Sequence, residues 1–388
     1  MKNLLRNISM MAMVVALAAC SGGDDDNGGG STPSGGGGGQ TFPTPSFNTQ
    51  DHNKPIGFGA SITGSGDGGT FVTVTNQSGL IAALKGEDKK TIYVKGTINF
   101  QGVVRIEGAK NKTIYGLPGA TLVNATGRDA VAATGILQFY NSSNIIIRNL
   151  TFKGAGAHDI NGNDNLHLDY CRNIWVDHCH FLDGVDGNLD CTSGSNNICV
   201  TWCRFGYEIA PKASSLADGT DDHRFSNLWG NGDNLAKTDA DKLCTTFANC
   251  WWDEGCKARM PRVRFGKVHI LNCLFSSKEN SAICVGAGYR SNIYLEKCAF
   301  TTTQTKKYPW RSYATADGYT DYNITVTGCS GAADEQEKSG SYEYFTPTYT
   351  YDSYDASQVS SVVGNATNGA GATLTIHENE KFTTAYKR

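Results

Sequence analysis

Asn173-Ile174-Trp175-Val176-Asp177-His178-Cys179-His180-Phe181 holds the pattern on which most of the chain is built. Ile174 and Val176 stand two apart, the spacing that puts both side chains on one face of a strand. The opening, Asn then aliphatic-x-aliphatic, recurs at Asn144-Ile145-Ile146-Ile147, Asn197-Ile198-Cys199-Val200, Asn292-Ile293-Tyr294-Leu295 and Asn323-Ile324-Thr325-Val326, with Lys267-Val268-His269-Ile270 as a variant. Where neighbours can be compared, the starts lie 29, 24, 25 and 31 residues apart (144 to 173, 173 to 197, 267 to 292, 292 to 323). A repeat of this length built on a strand means a solenoid. The expected fold is therefore all-β: a single right-handed parallel β-helix, each coil stacking two aliphatics on the next. The recurrent Asn suits a bend, where its side chain can bond the backbone and its counterpart in the next coil.

The units also close alike, as Cys179-His180-Phe181, Cys203-Arg204-Phe205, Cys250-Trp251-Trp252, Cys273-Leu274-Phe275, Cys298-Ala299-Phe300 and finally Cys329. Six cysteines in one register are expected to form an internal stack, since a small apolar-tolerant side chain fits a crowded interior. Neighbouring strands about 4.8 Å apart do not forbid disulfides. Upstream, Thr91 to Ile98 and Asn111 to Gly116 read as earlier coils. Asn76 to Leu84 reads as a short capping helix, with Asn76 or Ser78 as N-cap, that plugs the open end of the solenoid. From Glu208 to about Asp241 the repeat lapses into Gly, Asp and Asn, expected to be a long surface loop, and 304–320 reads as another.

The chain ends read differently. Residues 1–19 look like an export signal: Lys2 and Arg6, then a short apolar run ending in Leu17-Ala18-Ala19-Cys20. That ending resembles a bacterial lipobox, which implies cleavage before Cys20 and a lipid on it. Residues 20–50 are rich in Gly, Ser and Asp and cannot bury enough apolar surface to hold a fold, so they are expected to be a flexible tether. The remaining 51–388 form one domain. The expected location is exported and lipid-anchored to the outer membrane, with contact to the membrane only through Cys20. Of the 13 cysteines, twelve then remain, and their spacing matches neither a small disulfide scaffold nor paired CxxC zinc motifs. The net charge is −3, so nothing global marks a nucleic-acid binder, and any attraction for an acidic ligand must be local. A monomer is expected.

Two local clusters carry chemistry. Asp186-Gly187-Asn188-Leu189-Asp190 places two carboxylates four apart, on one face but about 13 Å apart along a straight strand. They share an ion only if the strand bends or a substrate completes the shell. Asp164, one coil earlier, is a possible third, and such oxygen ligands suit a hard cation. Taken alone, aspartates beside a turn are more often simply solvated. The second cluster is Lys257, Arg259, Arg262, Arg264 and Lys267, within eleven residues and with no acid among them. Pro261 should break the strand there, so that Arg259 and Arg264 need not face opposite ways. The run fits a polyanion by paired bonds to carboxylates, and equally fits a solvated basic face.

The segments Asn173–Cys179, Asp186–Asp190 and Val200-Thr201-Trp202, followed by Arg259-Met260-Pro261-Arg262-Val263-Arg264-Phe265-Gly266-Lys267-Val268-His269, resemble polysaccharide lyase family 1, the pectate and pectin lyases, in content and order. Gly57-Phe58-Gly59-Ala60 and the stretch from Pro347 to Gly371 look similar too, so the likeness spans about 55 to 375. It implies β-elimination on polygalacturonate, with Asp164, Asp186 and Asp190 as calcium (Ca2+) ligands and Arg259 as Brønsted base. It further implies Arg264 as the arginine holding a substrate carboxylate and Lys212 as a substrate-binding lysine. The spacing from Asp190 to Lys212 is longer than is common in the family. Asp177 and His178 are family hallmarks read here as structural. Arginine is ordinarily protonated, so a base role implies activity that rises toward alkaline pH. Pectin lyases lose the acidic cluster, which this chain keeps. A polygalacturonase would carry Asn-Thr-Asp and Gly-His-Gly motifs, absent here. A non-catalytic binding solenoid is the remaining class.

Overall fold

The structure, a computed structural model, describes residues 54–313, 318–341 and 343–378, with only the backbone of Asp67. The expected export signal (1–19) and tether (20–50) lie outside the described residues.

The chain winds as a right-handed parallel β-helix of three sheets, one of eleven strands and two of eight. One coil shows the plan. Arg172–Asp177 lies in the first sheet, His180–Leu182 in the second and Leu189–Thr192 in the third, before Asn196–Thr201 returns to the first. All pairings are parallel except the last of the first sheet, where Glu335–Ser339 runs back along Tyr322–Thr327. The repeated aliphatics align in register: Ile147, Val176, Val200, Phe247, Ile270, Leu295 and Val326 follow one another across the first sheet, all pointing inward and buried. The ring that closes each unit builds a second ladder in the second sheet. Phe152, Phe181, Phe205, Trp252, Phe275 and Phe300 stack at centroid spacings of 4.8, 5.3, 5.5, 4.9 and 4.6 Å. These spacings track the strand separation.

The repeated Asn does what its position implies, in a specific way. Asn111, Asn144, Asn173 and Asn197 take left-handed backbone, with φ of 56, 55, 57 and 57°. Asn tolerates that region best among residues with a side chain. Each is skipped in the pairing register, so the Asn is a kink inside the strand rather than before it. The side chains bond coil to coil: Asn144 donates to Asn111 at 2.8 Å and Asn197 to Asn173 at 3.1 Å. The cysteine stack forms as expected. The backbone N–H groups of Cys250, Cys273 and Cys298 each donate to the sulfur of the next coil's cysteine at 3.3 Å. All twelve described cysteines are free thiols, and burial pushes those of Cys203, Cys273 and Cys298 well up, so they pack as small apolar groups.

The helix Gln77–Leu84 caps the N-terminal end. Asn76 accepts from the Gly79 N–H at 2.9 Å, and Leu80, Ala83 and Leu84 seal the core. The segment 208–241 departs from the expected plain loop. Leu228–Trp229 is a strand of the third sheet, between Leu189–Thr192 and Arg262–Val263, and Ala236–Asp239 is a short helix.

The outer face of the first sheet is covered by both ends of the described chain. Ile56 and Ile62 pack on Ile146, Trp175 and Cys199, which explains why the middle residue of these units is apolar as well. Gly59 permits this approach: a Cβ there would lie 2.4 Å from the Cys199 Cβ. Tyr349 binds Thr246 and His269 at 2.9 Å each. The helix Ala356–Val363 that follows turns onto the second sheet, laying Val359 and Val363 on Trp202, Leu274 and Ala299. Under this cover Asp177 is an internal fastening. It is fully buried, takes hydrogen bonds from Arg148 (2.6 Å), His178 (2.7 Å) and Thr201 (2.5 Å), and so has the structural role expected of it.

Candidate active site

The polar side chains gather on the outer face of the third sheet. Its outward row runs His167, Asp190, Leu228 and Arg262 in successive coils. A cleft of about 350 Å³ opens beside it, lined by Asp159, Asp186, His223, Arg259, Arg262 and Arg264 among others.

Asp164 and Asp190 converge through the register of two coils. Leu166 pairs with Leu189 and the Asn165 N–H donates to the Gly187 carbonyl at 3.0 Å, so Asp164 lies opposite Gly187. A Cβ on Gly187 would lie 2.7 Å from Asp164 Oδ1 and 2.9 Å from Asp190 Oδ1. The backbone of Gly187 lies outside the left-handed region, so glycine is required there by the space and not by φ. Asp190 Oδ1 accepts from the Leu228 N–H at 2.9 Å. Asp164 Oδ2 lies 3.3 Å from His167 Nδ1, while its buried Oδ1 has no hydrogen-bond partner among the described residues. Burial, then the charge of Asp186, pushes the Asp164 carboxyl well above its ordinary range. Burial, then Asp164, does the same to Asp190, and the nearby Arg259 does not offset either.

Asp186 is turned elsewhere. The chain bends between it and the strand, as a shared site requires, but its Oδ1 lies 3.0 Å from His223 Nε2. His223 Nδ1 in turn lies 3.3 Å from Asp159 Oδ2. Among the described residues no three acidic, His or Cys side chains close a ready-made metal cage. Two of the three expected aspartates therefore meet around Gly187, and the third lies beside His223 without a hydrogen bond to it, its charge still felt at Asp164. His167 and His223 escaped the sequence reading. The available signal for His223 was Asp221-Asp222-His223-Arg224 within the segment where the repeat lapses.

Arg259 is held by its backbone. It sits in left-handed conformation (φ 57°), its carbonyl accepts from the Asn227 N–H at 2.7 Å, and its guanidinium lies 4.7 Å from the Phe225 ring centre. It is half-buried and has no carboxylate within ion-pair distance among the described residues. The strand pattern breaks at Pro261 as expected, and Arg259, Arg262 and Arg264 all line the cleft. Arg264 is anchored, with Nε on Asp233 Oδ1 at 2.7 Å and Nη1 on the Gly230 carbonyl at 2.8 Å. Lys212 stands apart from this lining. Its N–H bonds the Ala157 carbonyl at 2.8 Å and its ammonium pairs with Asp129.

Comparisons with known proteins bear on the family and the fold. The family model described as "Pectate lyase" matches residues 40–373. Pectate lyase B of Colletotrichum gloeosporioides is 29% identical over 330 residues, 82% of this chain and 86% of that protein. The pectate trisaccharide-lyase of Thermotoga maritima is 30% identical over 237 residues, and the match spans 58% of each chain. Among solved structures, the pectate lyase pelN of Paenibacillus sp. 0602 superposes with a TM-score of 0.65 at 17% identity, covering 84% of this chain and 97% of that one. A pectate lyase bound to a hexasaccharide gives 0.58 at 20% identity, covering 84% and 98%. These structural likenesses bear on the fold, while the family rests on the sequence match across 40–373: the chain belongs to the pectate lyase family.

Proposed function

We propose that this chain is a calcium-dependent pectate lyase that cuts polygalacturonate by β-elimination, leaving 4,5-unsaturated oligogalacturonides. The observation that carries the reading is the convergence of Asp164 and Asp190 on the space above Gly187, beside an arginine with no acid partner among the described residues. Two buried carboxylates, each held well above its ordinary range by burial and by a neighbouring aspartate, call for a cation. The donor set is all oxygen, which fits calcium. Asp164 and Asp190 would hold the ion, with Asp186 joining by turning from His223 and a substrate carboxylate filling the shell. Bound calcium would supply positive charge against the acidified uronate.

The protein's own groups do the rest. Arg259, fixed by its backbone, faces the proton on C5, alpha to the uronate carboxylate. Removing that proton forms the C4–C5 double bond as the C4–O bond breaks, and the departing oxygen takes up a proton. A guanidine base acts in its neutral form, so the rate should rise as the pH becomes alkaline. Arg264 keeps Nη2 for a uronate carboxylate while Asp233 and Gly230 hold the rest of it. Lys212 would exchange Asp129 for a second one. Mass analysis of the products tests the reaction: new non-reducing ends that are unsaturated, lacking the water that hydrolysis adds, support elimination, and new non-reducing ends that are all saturated contradict it.

We further infer that the enzyme is an exported lipoprotein anchored by Cys20. Cys20→Ser should release it from the membrane fraction. Retention of that variant would overturn the anchor.

A further inference from the structure

The lyase reading uses Arg259 and Arg264 but leaves Arg262 without a task. Arg262 lines the same cleft, is half-buried, and its buried Nε has no hydrogen-bond partner among the described residues. Burial, then the charges of Arg264 and Arg259, pushes its guanidinium down to about 10. No acid of the described chain lies within ion-pair distance of it.

The outward row continues past it. Arg262 pairs in register with Gly286, and Gly286 with Arg311. The two arginines are thus two coils apart, about 10 Å at about 4.8 Å per strand. Between them lies Tyr313. Its ring fills the place that a side chain at residue 286 would take: a Cβ on Gly286 would meet Tyr313 Cδ2 and Cε2 at 3.0 Å and Arg262 Cγ at 3.1 Å. The Arg262 guanidinium is 4.5 Å from the Tyr313 ring centre and that of Arg311 5.5 Å. The Tyr313 N–H, donating to the Ala287 carbonyl at 2.7 Å, ties the tyrosine to the sheet. One ring therefore braces two cations, neither with an acid partner among the described residues, on the line that leads away from Asp190.

We propose that Arg262, Tyr313 and Arg311 form a further subsite of the cleft, which binds the carboxylate of a uronate unit remote from the bond being cut. This rests on the reading of the substrate as a polyuronate. Two planar guanidiniums with free N–H edges match a carboxylate by paired hydrogen bonds, and the tyrosine presents an apolar face to a sugar ring. The subsite would make the protein prefer long, unesterified chains over short or methylated ones.

The test is a chain-length series on the full protein, with Arg311→Gln and Tyr313→Leu. Arg311 is exposed, so its variant should keep the wild-type Tm. On long polygalacturonate KM should rise about tenfold, with the loss falling on KM more than on kcat, and it should shrink on the shortest oligomers cut. Wild-type KM at every length in both variants would overturn the subsite. If the wild type releases no unsaturated uronate, the lyase reading fails, and calorimetry with a long oligogalacturonate still decides the subsite. Weaker binding to Arg311→Gln then supports it, and equal binding overturns it.

Discussion

Gly187 is the most informative single residue of the site. Its missing side chain leaves Asp164 Oδ1 and Asp190 Oδ1 facing one small space. Because its φ is ordinary, Gly187→Ala should fold, yet its methyl would stand where the cation belongs. In the wild type calcium should raise Tm; in Gly187→Ala that rise should vanish, as it should in Asp190→Asn. A full calcium-induced shift in Gly187→Ala would move the metal elsewhere. For Arg259, replacement by Lys keeps the charge but loses the planar group, and kcat should fall about 100-fold or more with less change in KM. Steady-state kinetics on polygalacturonate reads this directly. Asp186, Asp190 and the arginines were legible in the sequence because each set lies within a short motif, and Asp164 through its place one coil earlier. His167, His223 and the role of Gly187 were not, because their contacts arise only when the register of neighbouring coils is known.

Among the elements, the first-sheet strands were legible through Asn and paired aliphatics, and so was the capping helix through Asn76. Leu228–Trp229 was hidden because it has two residues and none of the Asn signature. It is specified by long-range partners instead, such as the bond from Trp229 Nε1 to Thr245 Oγ1 at 2.7 Å. The aromatic ladder makes a quantitative claim about packing. Phe205 is fully buried between Phe181 and Trp252, so Phe205→Ala should cost about 3–5 kcal/mol of stability, read from denaturant unfolding. The fastening at Asp177 makes a claim about pH. Burial alone would raise this carboxyl, but the charges of His178 and Arg148 and the bonds from His178 and Thr201 hold it at about 2. A folded pKa below the unfolded value of about 3.9 means the unfolded chain binds the proton first. The contribution, roughly 2–3 kcal/mol, is therefore complete above about pH 4 and is lost as the pH falls toward 2. Asp177→Asn should flatten that part of the stability–pH curve, and an unchanged acid limb would contradict the assignment.

For the molecule as a whole, the repeat alone implied a solenoid, but not which of its faces is used. That follows from how the described chain ends fold back. The segments around Ile56–Ile62 and Tyr349–Val363 cover the first sheet and, at the helix of the latter, part of the second, while the outward row of the third carries acids, arginines and the cleft. Neither covering segment carries the repeat, so their course was not legible. Among the described residues no helix is long and apolar enough to cross a membrane. Lipid on Cys20 is the anchor proposed above, and Cys20→Ser tests it by fractionation. The central claim is elimination on polygalacturonate governed by the cation at Asp164 and Asp190. The measurement that meets it most directly is the ultraviolet absorbance of the new C4–C5 double bond, followed on polygalacturonate with calcium and then with chelator. Absorbance that grows with calcium and stops with chelator is the predicted result. Chain cleavage without that absorbance, or absorbance indifferent to chelator, would contradict the account.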